Sequence, residues 1–433
     1  MKSDSATTAT VRSSSPSGPR VLFFAEAVTL AHIARPATLA GSLAAAGHEV
    51  HLAADGRYDP LFPNLAATRH PLTSIPTLQF VTALARGKPI YDRAMLARYV
   101  EDDLRVIDEV RPDVIVGDFR LSLSVSSAQA KVPYIAIANA YWSPFAQVHF
   151  PVPDHAVSRW FGRTIGQWLF SMARPVVFAR YAAPLNDLRM HHGLPTIPGG
   201  LPGAYTHGDF TAYADVPSLV PMPLPANHVF LGPVLWSPPV ALPAWWNDVP
   251  TDRPIVYVNL GSSGDARQLP RLLAALARLD VTVIAATAGA NTDSFDAAFA
   301  GTTATGRRRI YIADFLPGDA ACARADLVIC NGGSPATQQA LAQGKPVIGV
   351  PSNLDQWLNI QALTGAGVAA IVHPGWGFAR RMSAAVTKAL GNSQLRTRAA
   401  KAQAELRQFD SGQRLTALIE SIASSPAAKP IAA

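Results

Sequence analysis

Residues 326–359 read DLVICNGGSPATQQALAQGKPVIGVPSNLDQWLN, and this stretch decides the fold. The run 327–330 is short and apolar, which is typical of a strand buried in a parallel sheet. A turn follows at 331–335, and the segment 336–343 has the composition of a helix that ends at Gly344. A strand, a glycine-rich turn and a helix in this order predict one unit of a parallel α/β fold.

The glycine-rich turn of this stretch is suited to an anion. Its residues are Asn331, Gly332, Gly333 and Ser334. Glycine lets the backbone approach a ligand closely, and a helix N-terminus presents free N–H groups together with the positive end of the helix dipole. The turn therefore predicts a phosphate site.

The loop that follows the next strand adds a second kind of binding group. Asp355 supplies a carboxylate and Gln356 an amide, and these groups suit sugar hydroxyls, which both donate and accept hydrogen bonds. A phosphate site beside a sugar site indicates that the ligand is a nucleotide-sugar.

The composition is that of an ordinary, rather apolar globular protein. With 433 residues, 49% of them hydrophobic, the chain is long enough for two domains with a large core. No apolar run approaches the roughly 18 residues of a membrane span. The tail 1–19 lacks the apolar core of a signal peptide, so we expect it to be disordered. Cys322 and Cys330 have no nearby histidine partners and are expected to be buried thiols in a cytoplasmic protein.

The net charge of +7 permits anionic partners. Nucleic acid is not expected, because no stripe of Lys and Arg with interleaved aromatic residues is present. A peripheral contact with an anionic membrane surface stays open.

The first hundred residues predict a second parallel unit. A strand at 21–24, a helix at 33–46 and a strand at 49–53 form a βαβ opening without a GxGxxG turn, which argues against a nicotinamide cofactor at this end. His32 lies at the start of the helix, and Asp118 ends a later strand. Ligands bind at the carboxyl ends of such strands, so the two side chains are expected to share a crevice. A structural histidine and a helix-capping Asp118 are the alternatives.

Aromatic residues are dense between 142 and 180. At helical spacing they are typical of core, but they could equally line an apolar acceptor pocket. The candidates for acceptor binding follow the strand at 134–138 and are Asn139, Tyr141, Trp142 and Phe145.

The distribution of prolines and strands predicts where the domains lie. We expect an N-terminal acceptor-binding domain at 20–233, a proline-rich linker at 234–253 and a C-terminal nucleotide-sugar-binding domain at 254–410. The remainder, 411–433, is expected to be a helix and a frayed tail.

Taken together, these motifs resemble those of the GT-B glycosyltransferases, specifically the UDP-glycosyltransferase superfamily and its bacterial small-molecule and macrolide members. The stretch NGGSPATQQALAQGKPVIGVPSNLDQWLN is similar to the signature HGGxxTxxEALxxGxPxxxxPxxxDQxxN. AHIARPATLAGSLAAAGHEV resembles the family helix that begins GHxxR or GHxxP and ends GHEV, and VYVNLGSS resembles VYVSLGS. The resemblance implies two Rossmann-like doubly wound domains that face each other across a cleft.

The resemblance also implies roles for residues. The diphosphate of the donor would lie at Gly261, Ser262 and the turn 331–334. The nucleobase would lie at Phe315 and Leu316, and the sugar at Asp355 and Gln356. The general base would be His32, supported by Asp118. No cofactor is implied beyond the nucleotide-sugar co-substrate, with UDP as the expected nucleotide.

The implied chemistry agrees with the residue types. Imidazole, with a pKa of about 6.5, can remove a proton from an acceptor hydroxyl, and a carboxylate on its far nitrogen fixes the tautomer. The sequence contains no DxD motif, so we expect the helix N-terminus to balance the charge of the leaving diphosphate without a metal. One base and direct attack predict inversion at the anomeric carbon.

Two departures from the signature bear on the donor. Asn331 replaces the first histidine, and Gln339 replaces a glutamate that often contacts the ribose. Asparagine can donate a hydrogen bond to phosphate but cannot carry a positive charge.

The predicted function is transfer of a hexose to a hydroxyl of a small lipophilic acceptor. Two other functions are open on the same fold. A catalytically silent activator or scaffold would be favoured by loss of the base, which His32 argues against. A sugar-nucleotide epimerase or hydrolase would not need the long aromatic segment.

Overall fold

Two parallel sheets, each flanked by helices, make up the protein. The structure is a computed structural model that describes residues 18–85, 88–151, 156–261, 264–289 and 309–424. All strand pairs within both sheets are parallel. The predicted α/β class and doubly wound architecture are confirmed.

The first sheet has seven strands in the order β3-β2-β1-β4-β5-β6-β7. The strands are β1 (Arg20–Ala25), β2 (Glu49–Ala54), β3 (Thr68–Pro71), β4 (Val114–Asp118), β5 (Tyr134–Ala138), β6 (Phe210–Tyr213) and β7 (His228–Phe230). The helices of this half are α1 (Ala31–Ala45), α2 (Thr77–Ala85), α3 (Arg93–Val110), α4 (Leu123–Ala130), α5 (Ala156–His191) and α6 (Gly200–Thr206).

The second sheet has six strands in the order β10-β9-β8-β11-β12-β13. The strands are β8 (Ile255–Asn259), β9 (Thr282–Ala286), β10 (Ile310–Ala313), β11 (Leu327–Cys330), β12 (Val347–Gly349) and β13 (Ala369–Ile371). The helices that follow β8 are α7 (Leu269–Leu276), α8 (Gly318–Arg324), α9 (Ser334–Ala342), α10 (Leu354–Gly365), α11 (Phe378–Gly391), α12 (Ser393–Leu406) and α13 (Ser411–Ala423).

The strand order places a switch point in each sheet. In the first sheet it lies between β1 and β4, and in the second between β8 and β11, because the chain winds outward in both directions from these central pairs. Crevices at the carboxyl ends of such strands are the usual ligand sites of doubly wound sheets. The fold therefore provides one site-forming edge in each half.

The central strands are buried because helices cover both faces of each sheet. All five residues of β4, VIVGD, are buried, which explains why the strand reads as a continuous apolar run rather than an alternating one. Gly117 has no room for a side chain, since a Cβ there would lie 2.3 Å from a methyl of Leu123. Close approach of α4 to the sheet thus requires glycine at this position.

The last helix returns to the first half of the molecule. Leu415 and Ile419 of α13 are fully buried in the cluster that also contains Leu39 and Leu43 of α1. The C-terminal segment therefore covers the N-terminal sheet, a contact that the sequence pattern did not indicate. Most of the expected disordered tail and the last nine residues lie outside the described ranges.

Candidate active site

His32 and Asp118 meet at the switch point of the first sheet. Asp118 ends β4, where it is in register with Ala25 of the neighbouring β1, and His32 lies in the first turn of α1, a few residues after β1 ends. His32 Nδ1 lies 2.7 Å from Asp118 Oδ1. The Asp118 side chain is fully buried, whereas 20% of the His32 side chain is exposed. Nδ1 therefore faces the carboxylate, an arrangement in which the other ring nitrogen, Nε2, can accept a proton.

Arg35 is a third member of this site that the residue-by-residue prediction missed. Its Nε donates to Asp118 Oδ2 at 2.8 Å and its Nη2 to Asp118 Oδ1 at 2.9 Å. The guanidinium therefore grips both carboxylate oxygens in a bidentate pair. A signal was present, because Arg35 follows His32 by three residues on a helix, and such residues lie on one face.

The Arg35–Asp118 pair is a buried ion pair. Burial by itself would lower the pKa of Arg35, but the charge and hydrogen bonds of Asp118 outweigh it and the pKa is raised. Tyr141 and Asp355 also lie near enough to raise it. A buried charge is stable only when it is paired in this way. We therefore expect removal of either partner to lower the stability of the folded protein strongly.

The hydrogen bonds continue from Arg35 toward the second half of the molecule. Arg35 Nη1 donates to Asn139 Oδ1 at 2.8 Å, and Asn139 Nδ2 donates to Asp215 Oδ2 at 3.3 Å. Gln338 of α9 then donates to Asp215 Oδ1 at 3.2 Å. Asn139, predicted to contact the acceptor, is buried and takes part in this network at both ends of its amide. The network links the His32 site to α9.

Asp215 is the buried carboxylate at the centre of this link. It also accepts a hydrogen bond from the backbone N–H of Ala140 at 2.7 Å. Burial raises the pKa of Asp215 to about 6, although its hydrogen-bond donors act in the opposite direction. The group therefore titrates within the range in which enzymes are commonly assayed.

Phe119 forms one wall beside His32. Its ring stacks on His32 with centroids 4.7 Å apart and planes at 17°. Its backbone has φ of +59°, which is unfavourable for a bulky residue, and strained residues of this kind cluster at active sites. On its other side, Phe119 contacts Tyr205 edge to face at 4.9 Å.

The switch point of the second sheet carries the glycine-rich turn. Gly332 has φ of +85° and Gly261, after the adjacent β8, has φ of +64°, so both positions require glycine. The side chain of Asn331 accepts a hydrogen bond from Gly333 N at 2.9 Å, and Asn359 donates to the Gly332 carbonyl at 2.7 Å. Helix α9 begins directly after this turn, at Ser334, with no side-chain cap. Ser262, predicted to contact the diphosphate, lies outside the described residues.

The turn predicted to bind the nucleobase lies at the same edge of the second sheet as the glycine-rich turn. Phe315 is 38% exposed, which leaves a ring face available for stacking, whereas Leu316 is buried. Gln339, where the signature has glutamate, donates to the carbonyl of Trp236 and, at 3.3 Å, to the hydroxyl of Ser237. Gln339 thus ties α9 to the segment between the two sheets.

The predicted sugar residues are placed differently from each other. Asp355 Oδ1 accepts hydrogen bonds from Tyr141 Oη at 3.1 Å and Trp142 Nε1 at 2.8 Å, so it joins the two halves. Gln356 is 1% exposed, and its Oε1 accepts from the backbone N–H and hydroxyl of Ser352 at 2.8 Å and 3.0 Å. The Gln356 side chain therefore holds the start of its own loop in place through Ser352.

The remaining predicted residues are distributed as follows. Trp142 is buried, whereas Phe145 is 43% exposed and contacts the ring of His228. Among the residues that the structure describes, no three His, Cys, Asp or Glu side chains are arranged to hold a metal ion. Cys322 and Cys330 are buried free thiols. Across the described ranges, no helix has both the length and the apolar character needed to cross a membrane.

Comparison with known proteins identifies the family. Residues 256–414 match the model of the glycosyltransferase family 28 C-terminal domain. Over 378 residues the chain is 49% identical to a PGL/p-HBAD biosynthesis glycosyltransferase of Mycobacterium tuberculosis, which covers 87% of this chain and 86% of the relative. The chain belongs to the same family of GT-B glycosyltransferases as this relative.

Two further members bear on function. A PGL/p-HBAD biosynthesis rhamnosyltransferase of Mycobacterium bovis is 49% identical over 383 residues, which are 88% of this chain and 83% of the relative. An inactive PGL/p-HBAD biosynthesis glycosyltransferase of Mycobacterium bovis is 49% identical over 260 residues, 60% of this chain and 71% of the relative. The family therefore contains both active and inactive members.

Solved structures agree with the GT-B fold. The spinosyn rhamnosyltransferase SpnG superimposes with a TM-score of 0.66 at 20% identity, covering 92% of this glycosyltransferase and 99% of SpnG. SpnG has also been solved with thymidine diphosphate and with the spinosyn aglycone. The predicted family resemblance is confirmed.

Proposed function

We propose that this glycosyltransferase is an inverting, metal-independent enzyme that transfers a hexosyl group from a nucleoside diphosphate sugar to a hydroxyl of a small lipophilic acceptor. The observation that carries the proposal is the 2.7 Å pair between His32 Nδ1 and the buried Asp118. This pair has the orientation that a general base requires.

The proposed reaction begins with the acceptor hydroxyl beside His32 Nε2. As the hydroxyl oxygen attacks the anomeric carbon, its proton passes to Nε2, and Asp118 stabilises the imidazolium that forms. The bond from the anomeric carbon to the diphosphate oxygen breaks on the opposite side. Arg35 does not touch the reacting atoms in this scheme. It holds Asp118 in one position, which makes it a positioning residue.

The donor diphosphate would lie over the turn 331–334 at the start of α9. Backbone N–H groups and the helix dipole are suited to the negative charge that grows on the leaving diphosphate. Asn331 cannot add a positive charge, so more of the stabilisation rests on the backbone here than in relatives with histidine. Phe315 is exposed enough to stack on the nucleobase of the donor.

The sugar and the nucleotide are proposed from the relatives. One 49% identical relative is named a rhamnosyltransferase, which favours a 6-deoxyhexose such as rhamnose. SpnG, a more distant rhamnosyltransferase, binds thymidine diphosphate. These names favour a dTDP-sugar alongside the UDP-sugar that family frequency favours.

A thermal-shift series would test the donor first. UDP-, dTDP- and GDP-sugars are added separately to the wild type, and the matching donor should raise Tm because it binds only the folded chain. His32→Ala should keep that shift and lose transfer by several orders of magnitude, since the base is removed and the donor site is intact. Unchanged turnover in His32→Ala would refute the assignment of the base.

A catalytically silent protein is the second candidate, because the family contains inactive members. In that case the donor would still raise Tm, but no acceptor would be glycosylated by the wild type. The intact His32–Asp118–Arg35 cluster favours an active enzyme.

A further inference from the structure

Arg120, two residues after Asp118, is a buried arginine held by two buried carboxylates. The side chains of Arg120, Glu26 and Asp103 have no exposed surface. Arg120 Nη1 donates to Glu26 Oε2 at 2.9 Å, and its Nε donates to Asp103 Oδ1 at 3.0 Å. Charges are buried in this way only where each is bound by an opposite charge, so the three side chains act as one unit. We call them the Arg120 cluster.

The Arg120 cluster ties together three loops at the carboxyl edge of the first sheet. Glu26 lies in the loop after β1, which leads to His32, and Arg120 lies in the loop after β4. Arg120 Nη1 also donates to the carbonyl of Thr73 at 2.9 Å, in the loop after β3. A backbone hydrogen bond of 3.1 Å from Glu26 N to Asp118 O links the first two loops directly. Arg120 thus fixes the loop that leads to His32 against the loop that follows Asp118.

Neighbouring hydroxyl groups complete the bonding of the Arg120 cluster. Tyr99 donates its hydroxyl to Glu26 Oε1 at 3.1 Å, and the Arg120 guanidinium lies 3.7 Å from the centre of the Tyr99 ring. Ser122 donates to Asp103 Oδ2 at 2.6 Å. A buried ionic network of this kind adds little net stability, but it favours one arrangement of the chain, because other arrangements leave a charge unpaired.

Phe119 lies between two residues that are fixed by ion pairs. Its φ of +59° is a conformation that a bulky residue keeps only where the surrounding structure imposes it. On one side, buried Asp118 is bound by Arg35, and on the other, Arg120 is bound by its two carboxylates. The backbone of Phe119 is therefore held from both sides.

The Phe119 ring in turn sets the plane of the His32 imidazole. The two rings stack with centroids 4.7 Å apart and planes at 17°. The contact between His32 Nδ1 and Asp118 fixes one atom of the imidazole but leaves the ring free to turn about that contact. An aromatic ring packed flat on the imidazole removes this freedom, so it determines where Nε2 points.

We propose that Arg120 is a positioning residue of the transfer reaction: it fixes the loops after β1 and β4, holds Phe119 against His32, and so directs Nε2 at the acceptor hydroxyl. Arg120 touches none of the reacting atoms and acts through the Phe119 ring. The proposal rests on the proposed function for the role of His32 as base, whereas the stack itself can be measured without transfer.

Kinetics of Arg120→Lys test the role in transfer. Lysine keeps the charge, but a single ammonium cannot bind Glu26, Asp103 and the Thr73 carbonyl together as the planar guanidinium does. We expect kcat to fall about 10- to 100-fold, the effect of a reacting group displaced by about 1 Å. Donor KM should stay at the wild-type value, because the proposed donor site lies in the other half. An unchanged kcat in folded Arg120→Lys would overturn the proposal.

A double-variant cycle tests whether Arg120 acts through Phe119. Phe119→Leu removes the stacked ring and should lower kcat by a factor similar to that of Arg120→Lys. The double variant should then have nearly the kcat of Phe119→Leu alone, because the second change removes nothing that is still in use. Two factors that multiply would show that Arg120 acts by another route, and the proposal would be wrong.

NMR spectra without substrate report on the stack directly. The ring current of Phe119 should shift the carbon-bound protons of the His32 imidazole upfield, and the signals are assigned by their loss in His32→Ala. Both Arg120→Lys and Phe119→Leu should move these signals downfield, toward the positions of an unstacked histidine. Signals that move in Phe119→Leu but not in Arg120→Lys would show that Arg120 does not hold the ring.

Arg189→Lys is the matched control. Arg189 is another buried arginine of the same half, and it donates to the backbone carbonyls of Pro195, at 2.8 Å, and of Ser124. Lysine at this position should lower Tm, as in Arg120→Lys, but leave kcat and the His32 signals as in the wild type. An equal loss of kcat in both variants would mean general destabilisation and would contradict the proposal.

Glu26→Gln gives the same measurements if Arg120→Lys does not fold. The amide keeps the shape of the side chain but loses the charge that binds Arg120. The His32 signals should therefore move in the same direction by a smaller amount, and kcat should fall less than in Phe119→Leu. Unmoved signals together with an unchanged kcat would refute the positioning role.

The outcomes also separate this proposal from the proposed function. If His32→Ala abolishes transfer while the His32 signals stay unmoved in Arg120→Lys, the base assignment holds and Arg120 does not position it. If His32→Ala transfers like the wild type while the signals move in Arg120→Lys, the proposed function fails, and Arg120 is left as the residue that holds the Phe119 ring on His32.

Discussion

Trp142 donates its indole N–H to Oδ1 of Asp355 over 2.8 Å, which joins a residue after the fifth strand of the first sheet to a helix of the second. The sequence assigned Trp142 to the acceptor and Asp355 to the donor sugar. The residue predicted to bind the acceptor and the residue predicted to bind the donor are thus in direct contact through one carboxylate oxygen. A carboxylate held by Tyr141 and Trp142 can still accept a bond from a sugar hydroxyl, since each oxygen has two lone pairs.

Substitution at this contact should alter donor use. Asp355→Asn should raise the donor KM about 10-fold or change the preferred sugar, because a charged acceptor of hydrogen bonds is lost. Trp142→Phe, which removes the indole N–H together with part of the ring, should have a smaller effect of the same sign. Steady-state kinetics with two donor sugars would measure both. If Asp355→Asn leaves KM and sugar preference unchanged, Asp355 does not bind the sugar.

Arg35 should influence turnover through Asp118. Arg35→Lys retains the charge but not the planar fork, so we expect kcat to fall about 10- to 100-fold, the equivalent of one or two charged hydrogen bonds. Arg35→Met should lower kcat further and also lower Tm, because it leaves Asp118 buried without its cation.

Comparing kcat with KM distinguishes a positioning role of Arg35 from a purely structural one. In Arg35→Lys, donor and acceptor KM should be nearly unchanged, whereas kcat should fall and the pH profile of kcat should change. A variant whose Tm falls while kcat and its pH profile stay as in the wild type would show that Arg35 serves stability alone.

Asp215 should make stability depend on pH. Its pKa in the folded chain is about 6, above the ordinary value of 3.8, so the folded state holds the proton more tightly. Between about pH 4 and pH 6 the folded state therefore binds more protons than the unfolded state, and the free energy of unfolding should fall as pH rises, by roughly 3 kcal/mol at most from this group.

Urea unfolding at several pH values would measure this contribution. Asp215→Asn cannot titrate, so the difference between the wild type and this variant should change across the same pH interval. The control Asp187→Asn, at an exposed site, should follow the wild-type dependence. A wild-type to Asp215→Asn difference that is constant with pH would contradict the raised pKa.

Transfer should continue in the presence of EDTA. The proposed donor site uses the N-terminus of the helix that begins at Ser334, and its N–H groups need no divalent cation. Initial rates with and without the chelator, with His32→Ala as the inactive control, would measure this. Loss of activity that magnesium or manganese restores would refute metal-independent transfer.

Short-range patterns were enough to predict much of the fold. Glycines at 261 and 332 occupy positions with positive φ, and the apolar runs around them form the buried parallel strands that their length predicts. These features depend on residues a few positions apart, so they are visible in a single sequence. The same holds for His32 at the start of a helix after the first strand.

The tertiary structure alone decided which polar groups pair. Arg35 binds Asp118 and Asn139, which are 83 and 104 residues away, and Gln338 reaches Asp215 over 123 residues. No local pattern encodes partners at such separations, because each pairing depends on how strands and helices from distant parts of the chain pack.

In the same way, the sequence placed His32, Asp118 and the glycine turn at the ends of strands, because strand, turn and helix signals are local. Packing decided that Asn139 is buried in a polar network, that Gln356 faces into its own loop, and that the Tyr91 hydroxyl has no partner among the described residues. Burial and hydrogen-bond satisfaction are properties of the assembled fold, and the specificity of the site depends on them.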